Sequence, residues 1–199
     1  MVASMNDRLI QSVGARARIP EKRTDATDVA IPEIGPPASL AQIERCEVSL
    51  GFQLPDLLRR LYLEIGNGGF GPGYGFFPIP NGASTQKRTL VSLYNEFRRP
   101  PDPGEWEWPA GLLMICDWGC LIRSCVFTGG SEHQVFTSTE YGVHLTRWTL
   151  ETWLSDWASN VDLWEVMTKT DLGFASHPVT NQPMEYPWAS RRGLQPRQA

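Results

Sequence analysis

Leu54-Pro55-Asp56-Leu57-Leu58-Arg59-Arg60-Leu61-Tyr62-Leu63-Glu64-Ile65-Gly66-Asn67-Gly68-Gly69-Phe70-Gly71-Pro72-Gly73-Tyr74-Gly75-Phe76-Phe77-Pro78-Ile79 reads in three parts: an amphipathic helix, a turn crowded with glycine, and a short aromatic strand. Leu57, Leu58, Leu61, Tyr62 and Ile65 form one apolar stripe at the helical period. Pro55 suits the first turn, where its missing N–H leaves nothing unpaired. Gly66 is placed to supply the left-handed residue that ends the helix. Glycines at 66, 68, 69, 71, 73 and 75 then call for backbone at positive φ, or backbone packed too closely for a Cβ. Tyr74, Phe76, Phe77 and Ile79 are expected to leave the turn as a strand.

Upstream of this run, Ser39 is a suitable N-cap for a helix whose inner face carries Leu40, Ile43, Cys46 and Leu50, with Gly51 closing it. Downstream, Asn81-Gly82 marks a turn, and Leu90, Leu93, Tyr94 and Phe97 sit at helical spacing. Arg98-Arg99-Pro100-Pro101-Asp102-Pro103-Gly104 breaks that helix with an exposed loop. Strands are expected over Leu112–Cys116, Leu121–Thr128, Gln134–Thr137 and Val143–Arg147. Gly129-Gly130 and Tyr141-Gly142 punctuate them as in an antiparallel meander. Thr149 caps a last clear helix, on which Leu150, Trp153, Leu154 and Trp157 make a strongly apolar face. Trp164 and Met167 extend that packing after a break near Asn160.

Residues 1–38 read as a loosely held arm with one helical turn at Leu9, Ile10 and Val13, limited by Gly14 and Pro20. Ile31-Pro32 and Pro36-Pro37 also fall in this arm. Residues 39–169 make the domain, and residues 170–199, with Pro178, Pro183, Pro187 and Pro196, a polar tail. The fold class is α+β: a single domain with a mixed or antiparallel sheet of about four to six strands flanked by helices.

An apolar content of 41%, with 8 Trp and 8 Phe, suffices for a packed core. The net charge of −4 is unevenly placed, because residues 39–169 carry 15 acidic and 10 basic side chains. Such a domain has no footprint for nucleic acid or an anionic membrane surface and suits a basic partner. No stretch approaches the roughly 20 apolar residues of a membrane span, and Met1 to Arg8 holds no secretory core. The expected location is cytoplasmic, with the four cysteines as thiols.

Gly66-x-Gly68-x-x-Gly71 matches a dinucleotide fingerprint in spacing, but that motif needs a strand before it and a helix after it. Here a helix precedes, and Pro72 and an aromatic run follow, so the turn is read as structural. Cys116-x3-Cys120-x4-Cys125 is one loose pair of spacings with His133 as the nearby imidazole; buried thiols are the expectation. A Cys120, His133 and Asp117 nucleophilic set is conceivable, but His133, His144 and His177 are the whole imidazole inventory. Glu105 and Glu107, flanking Trp106, read as a solvated edge. No catalytic, cofactor-binding or metal-binding residue is expected.

Two features could meet a partner. Phe70 and Tyr74 either tuck into the core or anchor an interface. Asp117-Trp118-Gly119 is either an Asx-type turn with the indole buried, or an acid beside a half-exposed indole that suits an Arg or Lys. If both turns share one end of the sheet, they form one patch. The candidate partner-binding residues are Phe70, Tyr74, Phe76, Asp117, Trp118 and Glu132.

The run from Leu50 to Tyr62, followed by Gly66-Asn67-Gly68-Gly69-Phe70, resembles the opening signature of the SUKH superfamily. Trp108-Pro109 and Leu112-Leu113-Met114-Ile115-Cys116-Asp117-Trp118-Gly119-Cys120 are similar to its central strands. The likeness covers roughly residues 39–160. It implies an α+β domain that binds a partner protein, often a secreted toxin, and that has no catalytic residues to carry over. Where related sequences often place an acid at the end of the second strand, this chain has Cys125-Val126-Phe127-Thr128. The resemblance implies an immunity protein that occludes a toxin domain, or alternatively a regulatory scaffold of the Smi/Knr type.

Overall fold

Three helices of the chain begin with the same device. Ser39, Thr89 and Thr149 each sit in extended backbone and accept a hydrogen bond from the backbone N–H three residues on. In return the side chain at that third position, Gln42, Ser92 or Thr152, accepts from the capping residue's own N–H. Each reciprocal pair satisfies two orphan donors and fixes where the helix starts. These are α2 (Leu40–Leu50), α4 (Leu90–Phe97) and α5 (Leu150–Ala158). The other elements are α1 (Met5–Ala17), α3 (Asp56–Glu64), α6 (Leu163–Val166), and strands β1 (Leu112–Gly119), β2 (Ile122–Phe127), β3 (Gln134–Thr139) and β4 (Gly142–Thr149). The computed structural model describes residues 5–25, 33–80, 88–100, 107–139 and 142–171. The expected turn at Asn81-Gly82, Ile31-Pro32, the loop over 101–104, Glu105, Trp106, Tyr141, His177 and the tail from 172 lie outside the described residues.

The strands pair antiparallel in the order β1-β2-β3-β4, the meander that the glycine-marked turns predict. The fold is α+β, with this sheet and its helices around one hydrophobic cluster. β2 is buried along its whole length, so both of its faces are covered. Register shows how. Arg123 pairs with Ser138, and its guanidinium lies over the Phe97 ring of α4 at 5.6 Å. Ser124 and Thr137 point the other way, and the Thr137 hydroxyl meets the Met167 sulfur at 3.2 Å. One face therefore packs on α4 and the other on the turn after α6.

The buried stripe of α3 is Leu57, Leu58, Leu61 and Tyr62, as the periodicity predicts. Gly51 closes α2 at φ 81°, again as read. Leu40 is a correction: it is exposed, while Ile43, Cys46 and Leu50 alone carry the α2 inner face. Gly66 is another, because it does not adopt the left-handed conformation. Helix α3 ends when the Gly66 N–H reaches back to the Leu61 carbonyl. Gly66 is needed for space, since a Cβ there would stand 2.2 Å from an Ile34 methyl.

The loosely held arm is also corrected, for α1 is a helix of 13 residues with Ile10, Val13 and Ala17 in the common core. It packs on α5 and α3. The helical turn read at Leu9, Ile10 and Val13 continues through Gly14 to Ala17, because contact with α5 and α3 supplies what propensity does not.

Candidate functional site

The expected aromatic strand exists only as a single bridge, Phe76 to Cys116 at the edge of β1. The Phe77 N–H donates to the Ile115 carbonyl at 2.9 Å, and there the ladder stops. Pro78 has no N–H to continue it. The Phe77 carbonyl accepts from the buried Tyr62 hydroxyl at 2.6 Å, and Ile79 is engaged on both sides by one side chain. The Asn67 amide accepts the Ile79 N–H at 2.8 Å and donates to the Ile79 carbonyl at 3.1 Å. Backbone that would have paired in a sheet is held by side chains from the helix and the turn.

The glycine turn is filled by its own protein. The N–H of Gly71 donates to the Arg23 carbonyl, that of Gly73 to the Asp25 carboxylate, and that of Tyr74 to the Asp117 carbonyl. Gly75 and Phe76 donate to Pro72 and Phe70. A phosphate cradle needs such amides free and convergent. Here a carboxylate already stands at Gly73, where it would repel an anion.

Asp25 is the centre of a network that ties the N-terminal segment to this turn. Its carboxylate accepts from Gly73 at 3.0 Å, from the Trp157 indole at 3.2 Å and from Arg16 at 2.8 Å. The Arg16 guanidinium also lies 4.3 Å over the Trp157 ring and donates to the Trp157 carbonyl. Burial raises the Asp25 pKa, against the lowering effects of Gly73, Arg16 and Trp157. Burial likewise lowers that of Arg16.

The glycine turn and the β1–β2 hairpin do meet at one end of the sheet. A Cβ on Gly73 would stand 2.3 Å from the Asp117 carbonyl oxygen and 2.9 Å from the Trp118 ring. Trp118 is half-buried; its indole N–H donates to Ser124 Oγ at 2.8 Å, and its ring stacks on Trp164 at 5.7 Å and 32°. Asp117 makes the expected Asx-type contact, accepting the Gly119 N–H at 2.9 Å. The hairpin tip is Cys120-Leu121, both left-handed, at φ 48° and 66°.

Of the six candidate partner-binding residues, Tyr74, Asp117 and Trp118 are therefore brought together, each half-buried. Phe70 and Phe76 are not surface groups. They lie inside the core, edge to face at 5.4 Å, and support the turn from beneath. Glu132 is exposed in the β2–β3 loop, at the opposite end of the sheet from the hairpin tip. Sequence reasoning missed Leu121, placed within a strand, and the exposed role of Trp164, placed in the packing. It also missed Asp25.

The Cys120, His133 and Asp117 set does not assemble. Cys120 and His133 flank opposite ends of β2, a strand of six residues and so ~20 Å long. Cys116 and Cys125 are fully buried thiols, and burial pushes both pKa values up. Among the described residues no group of three or more His, Cys, Asp or Glu is placed to hold a metal ion.

The sequence profile of the SMI1 / KNR4 family (SUKH-1) matches residues 37–156, more than half of the chain. The chain belongs to this family. The SMI1/KNR4 match begins just before α2 and ends within α5. It takes in the glycine turn and the whole sheet, whereas α1, Asp25, Trp157 and Trp164 lie outside the matched residues. No curated protein matches the chain. No helix among the described residues is long and apolar enough to cross a membrane.

Proposed function

We propose that this SMI1/KNR4-family chain is a non-catalytic protein-binding module, and that it acts as an immunity protein which neutralises a toxin domain by covering it. The family includes immunity proteins, and that membership is the observation that carries the reading. The glycine turn supports it, since its amides are spent on the protein's own carbonyls and carboxylate and build a scaffold. Occlusion asks only for a rigid face of ~800 Å² per partner, which a domain of this size supplies. The alternative reading is a regulatory scaffold of the Smi/Knr type that organises host signalling or wall synthesis, which membership of the SMI1 / KNR4 family (SUKH-1) supports equally.

Co-expression separates the two. Under the first reading, the chain restores growth to cells that produce the toxic product of an adjacent gene. Under the second, it restores nothing, and pull-downs from the native host recover several host proteins and no toxin.

A further inference from the structure

We infer that Gly73, Arg16 and Trp157 form a preorganised carboxylate site, filled in this fold by the chain's own Asp25 and open to exchange for an aspartate on a segment of a partner protein. This deepens the protein-binding reading and rests on it. The kind of occupant is in view. One Asp25 oxygen accepts from Arg16 at 2.8 Å and from the Trp157 indole at 3.2 Å, and the other accepts from the Gly73 N–H at 3.0 Å. None of these donors depends on Asp25 for its place. The Arg16 guanidinium lies over the Trp157 ring and also donates to the Lys22 and Trp157 carbonyls. Trp157 is fully buried on α5, and the backbone of Gly73 is packed against the Asp117 carbonyl and the Trp118 ring. Donors fixed in advance take an acceptor without a further ordering cost. The Asp25 side chain is 27% exposed, so the site reaches solvent.

The residues before Asp25 show what else the site reads. The Arg23 carbonyl accepts from Gly71 at 2.8 Å, and the Asp25 N–H donates to the Gly73 carbonyl at 2.9 Å. Both are backbone bonds that almost any residue supplies. The Arg23 guanidinium donates to the Ala17 carbonyl, inside the N-terminal segment itself.

Thr24 is the poor fit. It is buried, and its hydroxyl has no hydrogen-bond partner among the described residues. A buried hydroxyl left unpaired is destabilising, whereas valine has the same shape and no polar atom to satisfy. Burial and the charge of Asp162 act against any carboxylate placed here, so a partner gains nothing over Asp25 at that group. Its advantage lies at the position of Thr24. The favoured occupant is valine followed by aspartate.

The test uses the full-length chain labelled with nitrogen-15, as wild type and as Asp25→Ala, and follows the Gly73 amide and Trp157 indole signals by NMR. In Asp25→Ala, acetate should shift both signals saturably, and chloride at equal ionic strength should shift neither. In the wild type acetate should move neither, because Asp25 holds the site. Three capped peptides then read the segment: Arg-Val-Asp should bind Asp25→Ala about fivefold more tightly than Arg-Thr-Asp, and Arg-Val-Asn should not bind. Trp157→Phe, added to Asp25→Ala, keeps a ring under Arg16 and should weaken the first peptide about tenfold. Thr24→Val, made in the wild type and so independent of whether Asp25→Ala folds, should raise the thermal midpoint. Acetate shifts absent from Asp25→Ala or equal in the wild type, peptides indifferent to aspartate or to valine, or a Thr24→Val midpoint that falls would each overturn the inference. So would a wild-type dimer, seen in sedimentation, that Asp25→Ala dissociates, because the site would then serve a second copy. If no peptide binds but the chain restores growth against a toxin, this site fails and the immunity reading stands. If the peptides bind as expected but no toxin is neutralised, the reverse holds.

Discussion

Asp25 and Gly73 hold each other twice: the Gly73 N–H donates to the Asp25 carboxylate at 3.0 Å while the Asp25 N–H donates to the Gly73 carbonyl at 2.9 Å. The pairing spans 48 residues and fastens the N-terminal segment to the glycine turn. Its carboxylate is raised in pKa by burial, so folding favours the protonated form. The sign follows from linkage: the folded state binds more protons between the unfolded value of 3.8 and the raised folded value. Asp25 therefore supports the fold fully below 3.8, and that support fades as pH rises through the folded pKa. Urea melts of the wild type and Asp25→Ala, taken from pH 3 to 7, should show the largest difference at the acid end. A difference that grows with pH would refute this.

Gly51 and Gly73 offer a controlled comparison. Both lie at positive φ, 81° and 61°, but a Cβ on Gly51 meets nothing within 4 Å, while one on Gly73 meets backbone at 2.3 Å. Gly51→Ala should cost about 1 kcal/mol, the conformational penalty alone. Gly73→Ala should cost more than about 3 kcal/mol, since a carbonyl cannot step aside as a flexible side chain can. Equal losses in chemical denaturation would show that φ alone governs both positions.

Much of this was readable from residues. The caps at Ser39 and Thr149, the stripes of α3 and α5 and the glycine-punctuated meander are local patterns, and each forms where the pattern places it. What escaped was non-local. The stripe of Ile10, Val13 and Ala17 is interrupted by Gly14, and what completes the helix over residues 5–17 is contact with α5 and α3, with Arg16 reaching Trp157 across 141 residues. Phe76-Phe77-Pro78-Ile79 has the composition of a strand, yet Asn67 takes the backbone groups that a neighbour strand would use. At the candidate face, Trp118 and Asp117 were legible because a turn dipeptide announces itself. Trp164 was not, since nothing in sequence sets it against Trp118.

Asn67 should accordingly be a sensitive position. Its buried amide is the partner of both the N–H and the C=O of Ile79. Asn67→Ala strands two buried backbone groups and should destabilise by about 2–4 kcal/mol. The Tyr62 hydroxyl, which donates to the Phe77 carbonyl two residues before Ile79, gives a milder control in Tyr62→Phe, at about 1 kcal/mol.

The cysteines should separate cleanly by reactivity. Burial pushes the Cys46 thiol up to about 12 and raises Cys116 and Cys125 as well, while Cys120 is exposed at the hairpin tip. At pH 8 a thiolate-trapping reagent should label Cys120 alone of the four in the folded protein, and all four in denaturant. Peptide mapping of the labelled native chain checks the assignment. Fast labelling of Cys116 would mean that the sheet opens under native conditions.

Helix α1 leans on α5, and their joining residues Arg16 and Trp157 are 141 positions apart. During synthesis α1 can meet α3 first, but its main partner α5 emerges only after a further wait, ~10–30 s behind α1 at ordinary elongation rates. For that interval Ile10, Val13 and Ala17 are only partly covered on the nascent chain. The sheet can close in order behind them, hairpin by hairpin. Docking of α1 is then the step that seals the molecule, and the one at which chaperone dependence should concentrate.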